Sequence, residues 1–197
     1  GIPMGTDPGP YMANAHLHKY EFTFQDNKRK TNYKVARSLN YTYRYIDVVT
    51  PINDGCNFSQ FKNQIYPSDL ILTKENNGNH SATVLDLDIS IENGMFNVSV
   101  FDKTDCFNFE VVKYPSLDSN VPDNILYNVF YSQALRYLYI CTDKTSFLKC
   151  LKPLFNKCKT KGATTNKLIS KLKQLFIKKQ EALLNLNITL QNTISIL

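Results

Sequence analysis

The chain has 197 residues, 43% of them hydrophobic, enough to bury the core of one domain or of two small packed lobes. No run of about 18 apolar residues occurs, which excludes a membrane-spanning helix. The net charge is +6, from 23 Lys and Arg against 17 Asp and Glu, and the excess is concentrated: residues 144–179 hold eleven lysines and no acidic residue.

Residues 1–10 hold three Gly and three Pro and read as a turn-rich loop. Breakers then vanish, and a helix is expected over 11–24, followed by a polar surface loop over 25–31. Residues 40–53, rich in Tyr, Thr, Ile and Val, read as two short strands joined at Asp47. A short helix fits 58–66, stopped before Pro67. The run 84–91 alternates apolar and polar residues, Asn93-Gly94 follows, and 96–100 alternates again. Asn-Gly between alternating runs marks a hairpin, because both residues tolerate positive φ. Residues 107–114 add a candidate third strand, and 115–122 a loop. Beyond Pro122 the pattern turns helical. Val129, Phe130, Gln133, Ala134, Tyr137 and Leu138 keep a 3.6-residue period. A second helix includes Phe147 to Phe155 and is expected to bend or break at Pro153. A third carries Leu168, Leu172, Leu175 and Phe176 on one face and Lys167, Lys171 and Lys178 on the other. The tail 183–197 has no firm assignment.

The five cysteines are odd in number and scattered, with no zinc-knuckle spacing, so reduced thiols are expected. Cys141, Cys150 and Cys158 have no obvious base partner to make a nucleophile. His16 and His18 are two apart on a helix, the wrong spacing for a shared metal. The start, Gly1-Ile2-Pro3-Met4, lacks the layout of a secretory signal, so an intracellular chain is expected. With no Met at position 1, it also fits a fragment. A cationic stretch without acids suits a polyanion such as nucleic acid; it equally suits a solvated helix face.

Asp47 sits at the tip of an apolar hairpin, exposed and rigidly held. Nucleotidyl transfer needs carboxylates converging on paired divalent ions, although a lone Asp in a hairpin is also an ordinary turn former. Gly1-Ile2-Pro3-Met4-Gly5-Thr6, with Pro10, Ala13 and Asn14, lies upstream of Tyr45-Ile46-Asp47. In that order these segments resemble reverse transcriptases, whose palm has a Gly-rich loop entering a helix and then a Tyr-x-Asp-Asp hairpin. Leu85-Asp86-Leu87-Asp88-Ile89 and Val100-Phe101-Asp102-Lys103 resemble the section after that hairpin in retroelement polymerases. Tyr131-Ser132-Gln133 with Leu135-Arg136-Tyr137 resembles the start of the thumb.

The resemblance covers about residues 1–180. It implies an α+β fold: a partial palm of antiparallel hairpins with helices over 1–122, a helical, basic thumb-like region over 123–180, and a tail over 181–197. It makes Asp47 the catalytic Mg²⁺ ligand. Gly1, Pro3, Gly5, Pro10, Asn14 and Tyr45 would shape the nucleotide and template pocket, and residues 84–103 would lie near the primer grip. Lys167, Lys171 and Lys178 would follow the backbone of RNA or an RNA–DNA hybrid, with deoxynucleotides as substrates of the intact family. Two departures count against polymerisation by this chain. Val48 stands where the family has its second Asp, and the family's fingers and upstream metal-binding Asp precede the region matched, so a separate N-terminal part would have to supply them. Asp86 and Asp88, two apart in a strand, are expected on its solvent face. The expected function is therefore an inactive fragment or degenerate copy of an RNA-directed DNA polymerase. The alternatives are a non-catalytic nucleic-acid-binding module of the same origin and a helical protein-interaction domain.

Overall fold

The computed structural model describes residues 7–75, 80–109 and 111–197. Helices and antiparallel strands are mixed, as expected for an α+β chain, and they form two compact units, Gly1–Lys74 and Glu75–Leu197.

The first unit opens with helix α1, Gly9–Thr31. Pro10 falls in its first turn, where a missing N–H costs nothing. The helix runs through residues 25–31, so the surface loop expected there is not formed. Those residues are polar but good helix formers. Lys30 bonds Asp26 four residues back at 2.6 Å, and Lys28, Arg29 and Lys30 sit where the helix dipole favours cations. Helix α2, Tyr33–Leu39, starts at Asn32, whose side chain accepts from Val35 N. Strands β1 (Thr42–Tyr45) and β2 (Val48–Pro51) form the hairpin expected over 40–53, with Tyr45 opposite Val48. Helix α3, Asn57–Ile65, follows, its first turn bonded by the Asp54 carboxylate through Cys56 N and Phe58 N. A small core of Phe24, Leu39, Ile65 and Tyr66 holds the three helices together.

The second unit begins with an antiparallel sheet of β3 (Ser81–Val84), β4 (Leu87–Glu92) and β5 (Met95–Val100), in that order. The Asn93-Gly94 turn lies where expected, with both residues at positive φ. The run 84–91 is not one strand. Leu85 takes a φ of 57° and turns the chain, so Val84 closes β3 and Leu87 opens β4. Asp86 is thus a turn residue and no longer shares a strand face with Asp88. The strand expected at 107–114 does not form among the described residues; a 3₁₀ turn, Lys103–Cys106, precedes irregular backbone. Thr142 already occupies part of the edge of β5, its N–H donating to Val98 O (3.1 Å) and its hydroxyl accepting from Val98 N (3.0 Å).

Helices α4 (Asp123–Ile140), α5 (Lys144–Thr160) and α6 (Thr165–Lys178) pack through Phe130, Phe147, Leu151, Leu168, Leu172 and Leu175, all fully buried. Helix α5 is continuous through Pro153, so the expected interruption is absent. Asp143 caps its start, accepting from Thr145 N and Ser146 N. Its end is a Schellman turn: Ala163 N bonds Cys158 O, Gly162 N bonds Lys159 O, and Gly162 takes a φ of 92°. The tail forms α7 (Gln180–Asn185) and α8 (Leu190–Ile196), and Leu183 and Ile188 join the core. No helix among the described residues is long and apolar enough to cross a membrane.

Candidate functional site

In the first unit the centre of interest is the β1–β2 hairpin. Strand β1 alternates, turning Thr42 and Arg44 inward and Tyr43 and Tyr45 outward. Arg44, with a side chain only 11% exposed, docks the hairpin on α1. Its Nε donates to Glu21 Oε1 at 2.6 Å and its Nη2 to Oε2 at 3.3 Å. Nη1 donates to Asn14 Oδ1 (2.6 Å) and to Ile46 O (3.2 Å), and Nη2 also reaches Asn14 O (3.2 Å). The Tyr66 hydroxyl donates to Glu21 Oε1 at 2.6 Å. The hydrogen bonds to Glu21 hold Arg44 above its already high pKa. Burial, then the bond to Glu21, pushes the Tyr66 phenol up.

Arg44, 30 residues from Asn14, thereby ties Asn14 to the hairpin turn. Ile46 has a φ of 53°, a left-handed conformation that a β-branched residue adopts only under constraint. Asp47 beside it is exposed, Tyr45 is 61% exposed, and Pro10 and Asn14 are exposed on α1. Gly1, Pro3 and Gly5 lie outside the described residues. A cavity of about 380 Å³ opens in this unit, but Pro10, Asn14, Tyr45 and Asp47 are not among its walls. Glu21, Arg44, Tyr66 and Thr42 line it instead, and the buried Thr42 hydroxyl has no hydrogen-bond partner. Among the described residues no group of three or more His, Cys, Asp or Glu is placed to hold a metal ion. A lone Asp47 does not fit the several oxygen ligands that Mg²⁺ requires.

In the second unit Lys167, Lys171 and Lys178 share one face of α6, spaced four and eleven residues from the first. Lys171 Nζ donates to Asn128 Oδ1 at 2.8 Å, and Lys167 Nζ lies 5.3 Å from the Tyr127 ring centroid. Both partners are neutral, so the positive charge is not cancelled. Among the described residues no carboxylate lies within ion-pair distance of any α6 lysine. On α4, Arg136 forms an ion pair with Asp86, joining two segments far apart in sequence. All five cysteines are free. The Cys150 thiol donates to Val100 O at 3.8 Å, and its proximity to the Cys141 thiol holds it below the ordinary thiol range.

Sequence reasoning missed Arg44, Glu21 and Tyr66, because no local pattern links residues 23 and 45 apart. The inward phase of Arg44 in an alternating strand was the one available signal. No family model, no curated protein and no solved structure matches the chain.

Proposed function

We propose that the chain is a reverse-transcriptase derivative, corresponding to the later palm and the thumb, that holds RNA or an RNA–DNA hybrid without extending it. The observation that carries the binding half is the α6 stripe of Lys167, Lys171 and Lys178, cationic and free of carboxylates within ion-pair distance among the described residues. Such a stripe attracts a phosphate backbone without reading sequence. Descent from a polymerase palm is supported by the strained hairpin turn bearing Asp47 and by the Arg44 bridge from that turn to Asn14. The lack of polymerisation is inferred from Val48 beside Asp47 and from the single carboxylate at the turn, too few oxygens for paired Mg²⁺ ions.

The test has two parts. Fluorescence anisotropy with a labelled RNA–DNA hybrid is expected to give binding that weakens steeply with salt. Primer extension with Mg²⁺ or Mn²⁺ is expected to give no template-dependent product, and Val48→Asp is expected not to restore it. Salt-independent binding, or no binding at low salt, would remove the first half; templated synthesis would remove the second.

A further inference from the structure

The segment joining α4 to α5 is laid along the edge of β5. Thr142 bonds both the N–H and the carbonyl of Val98, and its hydroxyl donates to Asn97 Oδ1 at 3.1 Å. Ser146, in the first turn of α5, donates to the same Asn97 oxygen at 3.1 Å. Cys150 stands one turn further along that helix face, and its thiol donates to Val100 O at 3.8 Å. Val98 and Val100, two apart on a strand, present their carbonyls to the same edge. Cys141, the chain neighbour of Thr142, is thereby gathered with Cys150 at one place on β5. Both thiols are free, and they differ in access: Cys141 is buried, 4% exposed, whereas Cys150 is partly exposed. The proximity of Cys141 holds the Cys150 thiol below the ordinary range, which enlarges the thiolate fraction, and the thiolate is the nucleophile.

We propose that Cys141 and Cys150 are a peroxide-responsive dithiol that closes to a disulfide, with Cys150 reacting first and Cys141 resolving. The Cys150 thiolate attacks one oxygen of hydrogen peroxide and the O–O bond breaks. Cys150 becomes a sulfenic acid, and the departing hydroxide recovers the proton that Cys150 had released, giving water. The Cys141 sulfur then attacks the Cys150 sulfur. The S–O bond breaks, the S–S bond forms, and the oxygen leaves with the Cys141 proton as a second water. The two thiols lose two electrons, and the peroxide gains them. Closure withdraws the Cys150 S–H from Val100 O and ties the end of α4 covalently to the second turn of α5. Nothing in this chemistry depends on the α6 lysines.

The test treats the full chain with a stoichiometric amount of hydrogen peroxide at neutral pH, folded and in urea. Both samples are quenched with N-ethylmaleimide and mapped with trypsin without reductant. The folded chain is expected to become lighter by two hydrogens, with peptides 137–144 and 150–157 joined. The link is expected to form about tenfold faster in the folded chain than in urea, with exposed Cys56 and Cys106 still open to alkylation. Cys141→Ala is expected to stop at the Cys150 sulfenic acid, trapped by dimedone, and Cys150→Ala to leave Cys141 unoxidised. The dithiol is overturned if Cys141 and Cys150 stay alkylated while Cys56 or Cys106 oxidises. It is equally overturned if the link forms no faster folded than in urea, or if Cys141 oxidises as readily without Cys150. The folded and urea samples of the wild type decide the matter even where a variant fails to fold.

Discussion

Arg44 on β1 and Glu21 on α1 meet through a bidentate pair, at 2.6 Å and 3.3 Å, and Tyr66 from the end of α3 donates to the same carboxylate. Three elements of the first unit are thus tied at one point, next to the turn that presents Asp47. A pair this shielded costs much to break singly, because the survivor is left charged without its partner. Arg44→Gln or Glu21→Gln is expected to destabilise the first unit by about 2–3 kcal/mol. The double variant is expected to lose less than the sum of the two. Urea unfolding of all three variants checks this; strictly additive losses would mean the two side chains do not act as a unit.

Gly162 ends α5 with a φ of 92°, and a Cβ there would stand 3.2 Å from Leu117 Cβ. Gly162→Ala is expected to cost about 1–3 kcal/mol, from backbone strain plus that contact. Gly94, at a φ of 77° with no atom within 4 Å of where a Cβ would stand, gives the comparison. Gly94→Ala is expected to cost about 1 kcal/mol, from the backbone alone. Urea midpoints of the two variants should fall in that order.

Asp102 accepts from Lys113 Nζ (2.9 Å), Thr104 Oγ1 (2.7 Å) and Thr104 N (3.1 Å). Burial pushes its carboxyl up, but those bonds outweigh burial and hold it at about 2, below the ordinary 3.8. A folded-state pKa below the unfolded one stabilises at higher pH. The contribution is therefore full above about pH 4 and is lost as pH falls toward 2. Solvent screening of this partly exposed group limits its size to about 1 kcal/mol. Asp102→Asn is expected to lower stability at neutral pH by up to that amount and to flatten the fall between pH 4 and 2. Parallel acid limbs for wild type and variant would contradict the assignment.

Much of the fold follows from local pattern. The 40–53 hairpin and α3 show in composition and punctuation, and Asn93-Gly94 turns where its φ preferences demand. Leu85 does not announce a turn: a γ-branched apolar residue in a regular alternation reads as strand, and only pairing of β3 with β4 reveals the break. Residues 25–31 read as loop because they are polar, yet polarity on one side of a helix is compatible with helix, as the Asp26–Lys30 pair illustrates. Residues 107–114 have strand-like composition but find part of the β5 edge already bonded to Thr142. The lysine stripe was legible from helical spacing. The Arg44 bridge was not, since it depends on how β1 meets α1.

The central claim is that the second unit binds a nucleic-acid backbone through the α6 lysines. The most direct measurement is the dependence of log Kd on log salt concentration for a blunt RNA–DNA hybrid, for wild type and for the combined Lys167→Gln, Lys171→Gln, Lys178→Gln variant. If each lysine neutralises one phosphate, the slope should fall by roughly 2–3 in the variant, with affinity lost evenly across hybrid sequences. An unchanged slope, with the variant still folded, would contradict the account.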